Sequence, residues 1–147
     1  MKATLKCRML NLFLAACVLP AMAAASPVAS PVSDLQRAIA CEAGTDTLPI
    51  LRRHGVPING ERHVLDGAVV IYGVKAEAVF VTEDRNDLSL YVEIPMRQKK
   101  AFAKAAGMQH LQDDETSVYT KTLPSGAVLA IDDISDEGDT AVLECRI

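Results

Sequence analysis

The sequence predicts an α+β protein: an antiparallel sheet built from two helix-plus-three-strand units, with the helices packed on one face. The first observation is the stretch 67–94, in which three apolar, β-branched and aromatic runs are separated by polar turns. This is the pattern of an antiparallel meander with one buried face. The second is a similar set of three runs in 117–147. The third is a helical segment ahead of each set, which indicates an internal repeat with a period of about fifty residues.

The N-terminal segment has the order of a secretory signal peptide. Basic residues at 2, 6 and 8 precede an apolar run over 9–19 and the small-residue segment AMAAAS, the arrangement that signal peptidase recognises. We expect cleavage after Ala25, with Ala23 as a second acceptable site, and therefore a periplasmic or secreted protein. Cys17 offers an alternative, because Leu14-Ala15-Ala16-Cys17 resembles the lipobox of lipoproteins and would anchor the chain through a lipid.

Cleavage of this signal peptide, 1–25, would leave one domain. The remaining 122 residues carry 12 basic and 19 acidic side chains, because the leader removes three basic ones, and the net charge changes from −4 to −7. The Pro and Ser segment 26–32 is predicted to be a flexible linker, and 33–147 the folded domain, with halves at 33–94 and 95–147. The acidic balance argues against nucleic acid as a partner, because phosphate binding needs a basic surface. No other segment reaches the ~20 apolar residues of a membrane span.

Two cysteines belong to the predicted domain, Cys41 near its start and Cys145 near its end. In an oxidising compartment two cysteines most simply pair. A redox role would usually require a C-x-x-C motif, which the sequence lacks. We therefore predict a structural disulfide that ties the first helix to the last strand.

Three short helices are predicted. The first begins at the capping box formed by Ser33 and Gln36, carries Cys41 on its inner side and ends before Gly44. The second lies within 46–55 and ends at a Gly-x-Pro stop. The third follows Pro95 and ends at Gly107. Its inner side is Ala101, Phe102, Ala105 and Ala106, and its outer, solvated side is Arg97, Lys99, Lys100 and Lys104.

Six main strands are predicted, three in each half. The first meander has strands at 69–72, 78–81 and 88–94, a tight link at 73–75 and a polar, protruding loop at 82–87. Asn59-Gly60 predicts a small ribbon between 56–58 and 63–65. The second set has strands at 117–123, 127–131 and 140–147, with turns at 125–126 and 135–139.

The acidic loops and a sheet face are the candidate partner-binding surfaces, because acidic groups steer basic partners. The carboxylates concerned are Glu83, Asp84, Asp87, Asp133, Asp136 and Glu137. The second loop also matches the ligand spacing of an EF-hand, through Asp133, Ser135, Glu137 and Glu144. Its flanks are rich in β-formers, whereas an EF-hand loop joins two helices. An acidic hairpin turn is therefore favoured, and we expect no metal or other cofactor.

The sequence shows no catalytic motif. The three histidines, His54, His63 and His110, lie far apart and form no H-x-H or H-x-x-x-H pair, and G-x-S-x-G is absent. The paired carboxylates lie in polar turns, where nothing would raise a pKa for acid–base work.

We therefore predict a small exported protein-binding domain that is not an enzyme: an inhibitor, an immunity protein or an envelope-accessory protein, with another protein as its partner. The repeated helix-and-strand plan is similar to that of secreted inhibitor domains of the β-lactamase inhibitor protein type. This resemblance is one of architecture, and a fold does not fix a function. The alternative is a small hydrolase or a metal-dependent enzyme whose site is assembled from dispersed residues.

Overall fold

The computed structural model describes residues 31–67, 69–85, 87–133 and 138–147. The predicted signal peptide 1–25, most of the predicted linker and three predicted site residues, Ser135, Asp136 and Glu137, lie outside these ranges. Within them, no helix has both the length and the apolar character that crossing a membrane requires.

The described chain forms three helices and nine strands. The helices are α1 (Pro31–Ile39), α2 (Thr47–Arg53) and α3 (Lys99–Ala106), with 3₁₀ turns at Gly44–Asp46 and Met96–Gln98. The strands are β1 (His63–Val64), β2 (Val70–Ile71), β3 (Val74–Lys75), β4 (Ala78–Asp84), β5 (Asp87–Pro95), β6 (Gln109–Gln112), β7 (Ser117–Thr122), β8 (Val128–Asp132) and β9 (Thr140–Arg146). The paired strands are antiparallel. The predicted α+β class and antiparallel sheet are therefore confirmed.

Seven strands form the main sheet in the order β1-β4-β5-β9-β8-β7-β6. The central pair is β5 and β9, which are the last strands of the two predicted halves. The strands of the first half lie on one side of this pair and those of the second half on the other. The shorter strands β2 and β3 form a separate sheet.

The core lies on one face of the main sheet. Along β5, the buried side chains Leu88, Leu90, Val92 and Ile94 alternate with partly exposed ones, as expected for a strand with one covered face. The same cluster of buried side chains includes Ile39 in α1, Leu51 in α2 and Phe102 in α3. The helices and the β2–β3 hairpin therefore cover this face, which we call the helix side, and leave the other face open.

The predicted disulfide joins Cys41 and Cys145, whose Cα atoms are 6.4 Å apart. Both side chains are fully buried. Cys41 follows α1 and has φ 64°. Many helices end with a residue in this left-handed conformation, and that residue is usually glycine. The bond links this helix end to the centre of the sheet, because Cys145 lies opposite Leu90.

The predicted first strand of the meander, 69–72, does not join the main sheet. Residues of β2 pair only with β3, through a two-residue turn at Tyr72-Gly73. Both turn residues have positive φ, 46° and 79°, as in a type I′ turn, where Asn-Gly is usual. The apolar pattern correctly predicted an extended segment here but did not predict the strand with which it pairs. The tight turn at Tyr72-Gly73 pairs β2 with β3, the next strand in the chain.

Three other segments differ from the prediction. In the segment predicted as a protruding loop, 82–87, residues 82–84 continue β4 and Asp87 starts β5. The ribbon expected around Asn59-Gly60 is absent, since β1 pairs with β4 and the Gly60 N–H donates to the Val81 carbonyl. The strand β6 was not predicted, because its four side chains are all exposed and show no alternation.

The pKa of the Tyr72 hydroxyl is raised, first by burial and then by the nearby Glu42 carboxylate. The folded protein therefore holds this proton more tightly than the unfolded chain, in which tyrosine titrates near pH 10. We expect the contribution of this group to stability to be complete below about pH 9 and to be lost as the pH rises above about 10. Denaturant titrations at about pH 8 and about pH 11 test this. An equal loss of stability in wild type and Tyr72→Phe would contradict it.

Candidate functional site

The sheet face opposite the helices, the open face, carries an exposed apolar surface. In the part of the chain that the structure describes, five large apolar side chains are strongly exposed: Val64 (54%), Leu111 (51%), Val142 (44%), Val70 (40%) and Val128 (38%). All except Val70 belong to the main sheet, and the strand register places all four on the open face. Exposed apolar side chains gathered on one side of a protein mark interaction surfaces more often than scattered ones do.

Strand pairing arranges these side chains in rows across the sheet. One row contains Val64, Ala78, Glu93 and Val142, each opposite the next. On the far side of the sheet, Leu111 lies opposite Val118. The neighbours of Val142 in the chain, Ala141 and Leu143, are buried. Because side chains alternate along a strand, Val142 and the rest of its row lie on the face opposite the helices, where Val64 and Val142 are exposed and Ala78 is covered.

A second row adds aromatic rings. Phe80 lies opposite Tyr91, and Tyr91 opposite Glu144. Glu144 accepts a hydrogen bond from Arg146 Nε at 2.7 Å. In the neighbouring row, Glu93 accepts two from Arg62, with Nε at 3.1 Å and Nη2 at 2.6 Å. The open face therefore presents apolar and aromatic groups between paired charges, a mixture found in protein–protein interfaces.

The open face ends in a depression at the β4–β5 turn. It has a volume of about 550 Å³ and is lined by Tyr91, Val128 and Arg146 together with Asp84 and Asp87. Two of the predicted partner-binding carboxylates thus lie at the rim of the open face. Asp84 and Asp87 are directly opposite each other, and like charges in this position destabilise a hairpin. A basic group from a partner would relieve that repulsion.

Glu83, the third predicted carboxylate of this loop, points the other way. It lies opposite the buried Leu88, on the helix side of the sheet. There its carboxylate is 3.5 Å from Arg52 of α2. The ion pair is exposed, so we expect it to contribute little to stability, and Glu83 is separated from the open face.

The second acidic loop lies at the opposite end of the sheet. Asp133 follows β8, whereas Asp84 and Asp87 flank the start of β5. Since β5 and β9 pair over seven residues, about 20 Å separate these two ends. Asp133 and the pair at the first loop therefore do not form one surface. Asp136 and Glu137 lie outside the described residues.

Asp133 contacts two basic side chains on the helix side. Its carboxylate is 3.2 Å from Lys99 Nζ and 3.4 Å from His110 Nε2. Lys99 is only 2% exposed, although the helical period predicted it on the solvated side of α3. That prediction was wrong because Lys99 is the first residue of α3 and lies against the end of β8, where Asp133 supplies the opposite charge that a buried ammonium requires.

His110 Nε2 also lies 2.9 Å from the Ser117 hydroxyl, which brings a serine, a histidine and a carboxylate together. A catalytic triad places the carboxylate on one ring nitrogen and the serine on the other. Here Asp133 and Ser117 both contact Nε2, and the imidazole stacks on Tyr119 with ring centroids 4.6 Å apart. The cluster does not have triad geometry and gives no support to the alternative hydrolase.

The two described members of the EF-hand-like spacing lie on opposite faces of the sheet. Glu144 is opposite Ala130 on the open face, whereas Asp133 contacts Lys99 of α3 on the helix side. Of the three histidines, His63 and His110 lie on the two edge strands, β1 and β6. Across 31–67, 69–85, 87–133 and 138–147, no three His, Cys, Asp or Glu side chains converge at metal-binding distances.

The sequence predicted a sheet face as a possible binding surface but did not identify its residues. The available signal was the two-residue period of β9, in which Val142 shares one face with Glu144, while Ala141 and Leu143 share the other. Alternation alone does not say which of its two faces the helices cover. No protein-family model, curated protein or solved structure matches this chain.

Proposed function

We propose that this chain is an exported protein-binding domain that acts without catalysis, as an inhibitor, an immunity protein or an envelope-accessory protein. The observation that carries this proposal is the open face, on which Val64, Leu111, Val128 and Val142 are exposed from one edge strand of the sheet to the other, whereas the opposite face is covered. A partner protein docks on this face and removes these side chains from water.

The charge of the chain supports a partner with basic groups beside an apolar patch. The net charge is −4, and it becomes −7 if the predicted leader is removed. Asp84 and Asp87 at the rim of the open face attract a basic group and set its orientation. The Cys41–Cys145 bond limits the motion of the central strands, and a rigid surface loses less conformational entropy on binding.

Export and the two-unit plan belong to the same proposal. The N-terminal order of basic, apolar and small residues supports secretion, and a disulfide is compatible with it. The antiparallel β5–β9 pair supports a duplication of 33–94 and 95–147, because two copies related by a twofold axis would meet through equivalent strands. The additional helix α2 and the β2–β3 hairpin then belong to the first copy alone.

The experiment compares two valines that differ in position but not in type. The binding partner is isolated from an envelope extract of the source organism, identified, purified and titrated calorimetrically. We expect Val142→Asp, on the open face, to weaken binding about tenfold or more, because a carboxylate replaces an interfacial apolar group. We expect Val70→Asp, on the β2–β3 hairpin, to change the affinity less than about twofold.

Thermal unfolding of each variant confirms that it is folded. Equal losses of affinity in both variants, or an unchanged affinity in Val142→Asp, would remove the open face from the proposal. Neutralising Asp84 and Asp87 tests the charge component separately, since their loss should mainly slow association and reduce its dependence on salt.

A further inference from the structure

A cavity of about 290 Å³ lies on the helix side of the sheet, away from the open face. Its volume is close to the lower end of the about 300–1,000 Å³ typical of small-molecule sites. Three separate segments form its wall: Glu42 after α1, Tyr72 at the β2–β3 turn, and Lys121 with 123–125 at the end of β7. The Lys121 side chain belongs to this side because Lys121 is paired with the buried Leu129.

Tyr72 occupies a backbone position that does not favour tyrosine. A bulky residue with φ 46° is a conformational outlier, and the first position of such a turn is usually asparagine or glycine. The contacts of the side chain must therefore offset the cost of this backbone conformation. Its ring meets Phe102 edge-on, with centroids 5.5 Å apart, and forms the aromatic wall of the cavity. Local strain of this kind is common at ligand sites.

Lys121 places a positive charge beside that ring. Its ammonium lies 5.9 Å from the Tyr72 ring centroid and donates to the Ala106 carbonyl at the end of α3. Within the described ranges it forms no ion pair with a carboxylate. An ammonium has three protons, so the bond to Ala106 leaves two for another acceptor. A partly buried cation whose contacts are a carbonyl and a ring is suited to an anionic ligand.

The other residues that line the cavity indicate the chemistry of the rest of the ligand. The side chains of Leu123 and Pro124 add apolar surface, and Ser125 adds a hydroxyl whose proton is free, because its oxygen accepts from the Ala127 N–H. We propose that this cavity binds a small carboxylate with an apolar body. Its carboxylate accepts from Lys121 Nζ and Ser125 Oγ, and its body packs between Tyr72 and Pro124. The site is independent of the protein-binding function proposed for the open face.

The test is a chemical-shift titration of the ¹⁵N-labelled, oxidised chain with 3-phenylpropionate and with its neutral isostere, 3-phenylpropanamide. We expect saturable shifts for the backbone amides of 72–73, 121–123 and 125–127 with the carboxylate, and affinity at least about tenfold lower with the neutral isostere, which lacks the charge-assisted bond. Lys121→Met should weaken carboxylate binding by about the same factor. Lys104→Met, an exposed lysine on α3, is the matched control and should change nothing.

A second variant, Glu42→Gln, should change the affinity for the carboxylate in the opposite direction to Lys121→Met. Removing this exposed carboxylate should strengthen binding of the anionic probe about twofold, because it removes a repulsive charge. The Glu42→Gln measurement can still be made if Lys121→Met does not fold. The proposal is overturned if neither probe gives saturable shifts, if the amide binds as well as the carboxylate, or if Lys121→Met and Lys104→Met bind alike.

Discussion

Replacing both Cys41 and Cys145 with alanine is expected to lower the free energy of unfolding by about 4 kcal/mol. The two cysteines are separated by 104 residues, and a crosslink over so long a loop removes much of the conformational freedom of the unfolded chain. Domains of this size are stable by only about 5–15 kcal/mol. Urea titrations of the oxidised chain and of the double variant measure the difference directly.

A second variant separates the crosslink from the backbone. Cys41 has φ 64°, which costs an alanine energy but suits glycine. We therefore expect Cys41→Gly with Cys145→Ala to be about 1 kcal/mol more stable than the double alanine variant. A double alanine variant that loses less than about 1 kcal/mol would show that the bond does not brace the fold.

Phe102→Ala is expected to lower the free energy of unfolding by about 4 kcal/mol. Phe102 is fully buried, and the other buried apolar side chains of α3 are the small Ala103 and Ala106. Phe102 is therefore the large apolar group that holds this eight-residue helix on the sheet, and it also supports the Tyr72 ring. Its loss removes apolar contact area and leaves a cavity.

Two further substitutions calibrate this result. Phe102→Leu keeps most of the volume and should cost about 1.5 kcal/mol. Lys104→Ala, exposed on the same helix, should stay within about 0.5 kcal/mol of wild type. If Phe102→Ala resembles Lys104→Ala in a urea titration, α3 does not depend on this side chain for its docking.

Local features of the fold were predictable from the sequence. The alternation of Leu88, Leu90 and Val92 with polar residues identifies β5 because the strand period is fixed by backbone geometry. Gly107 identifies the end of α3 because its φ of 67° is the left-handed conformation that glycine adopts most easily. The cysteine pair followed from the predicted export and from the presence of two cysteines in the predicted domain.

Pairing and burial were less predictable, because they depend on segments far apart in the chain. The predicted turn at 135–139 indicates that β9 pairs with β8, but nothing local to β9 says that its other edge pairs with β5. The helical period alone predicts that Lys99 is a surface residue. Its burial depends on contact with Asp133, which lies 34 positions later in the chain. The open face was unpredictable for the same reason, since Val128 and Val142 share one face of the sheet only once β8 and β9 are paired.

The position of β9 sets the order in which the sheet can be completed. It lies between β5 and β8 although it follows both in the chain. Before Thr140–Arg146 is available, β1-β4-β5 and β8-β7-β6 have no strand that joins them, and Cys145 has not reached Cys41. Each partial sheet then exposes an unpaired edge, β5 or β8, which is prone to pair with other chains. Assembly of this sheet is therefore completed by β9, through contacts with β5 that have a long sequence separation and form slowly.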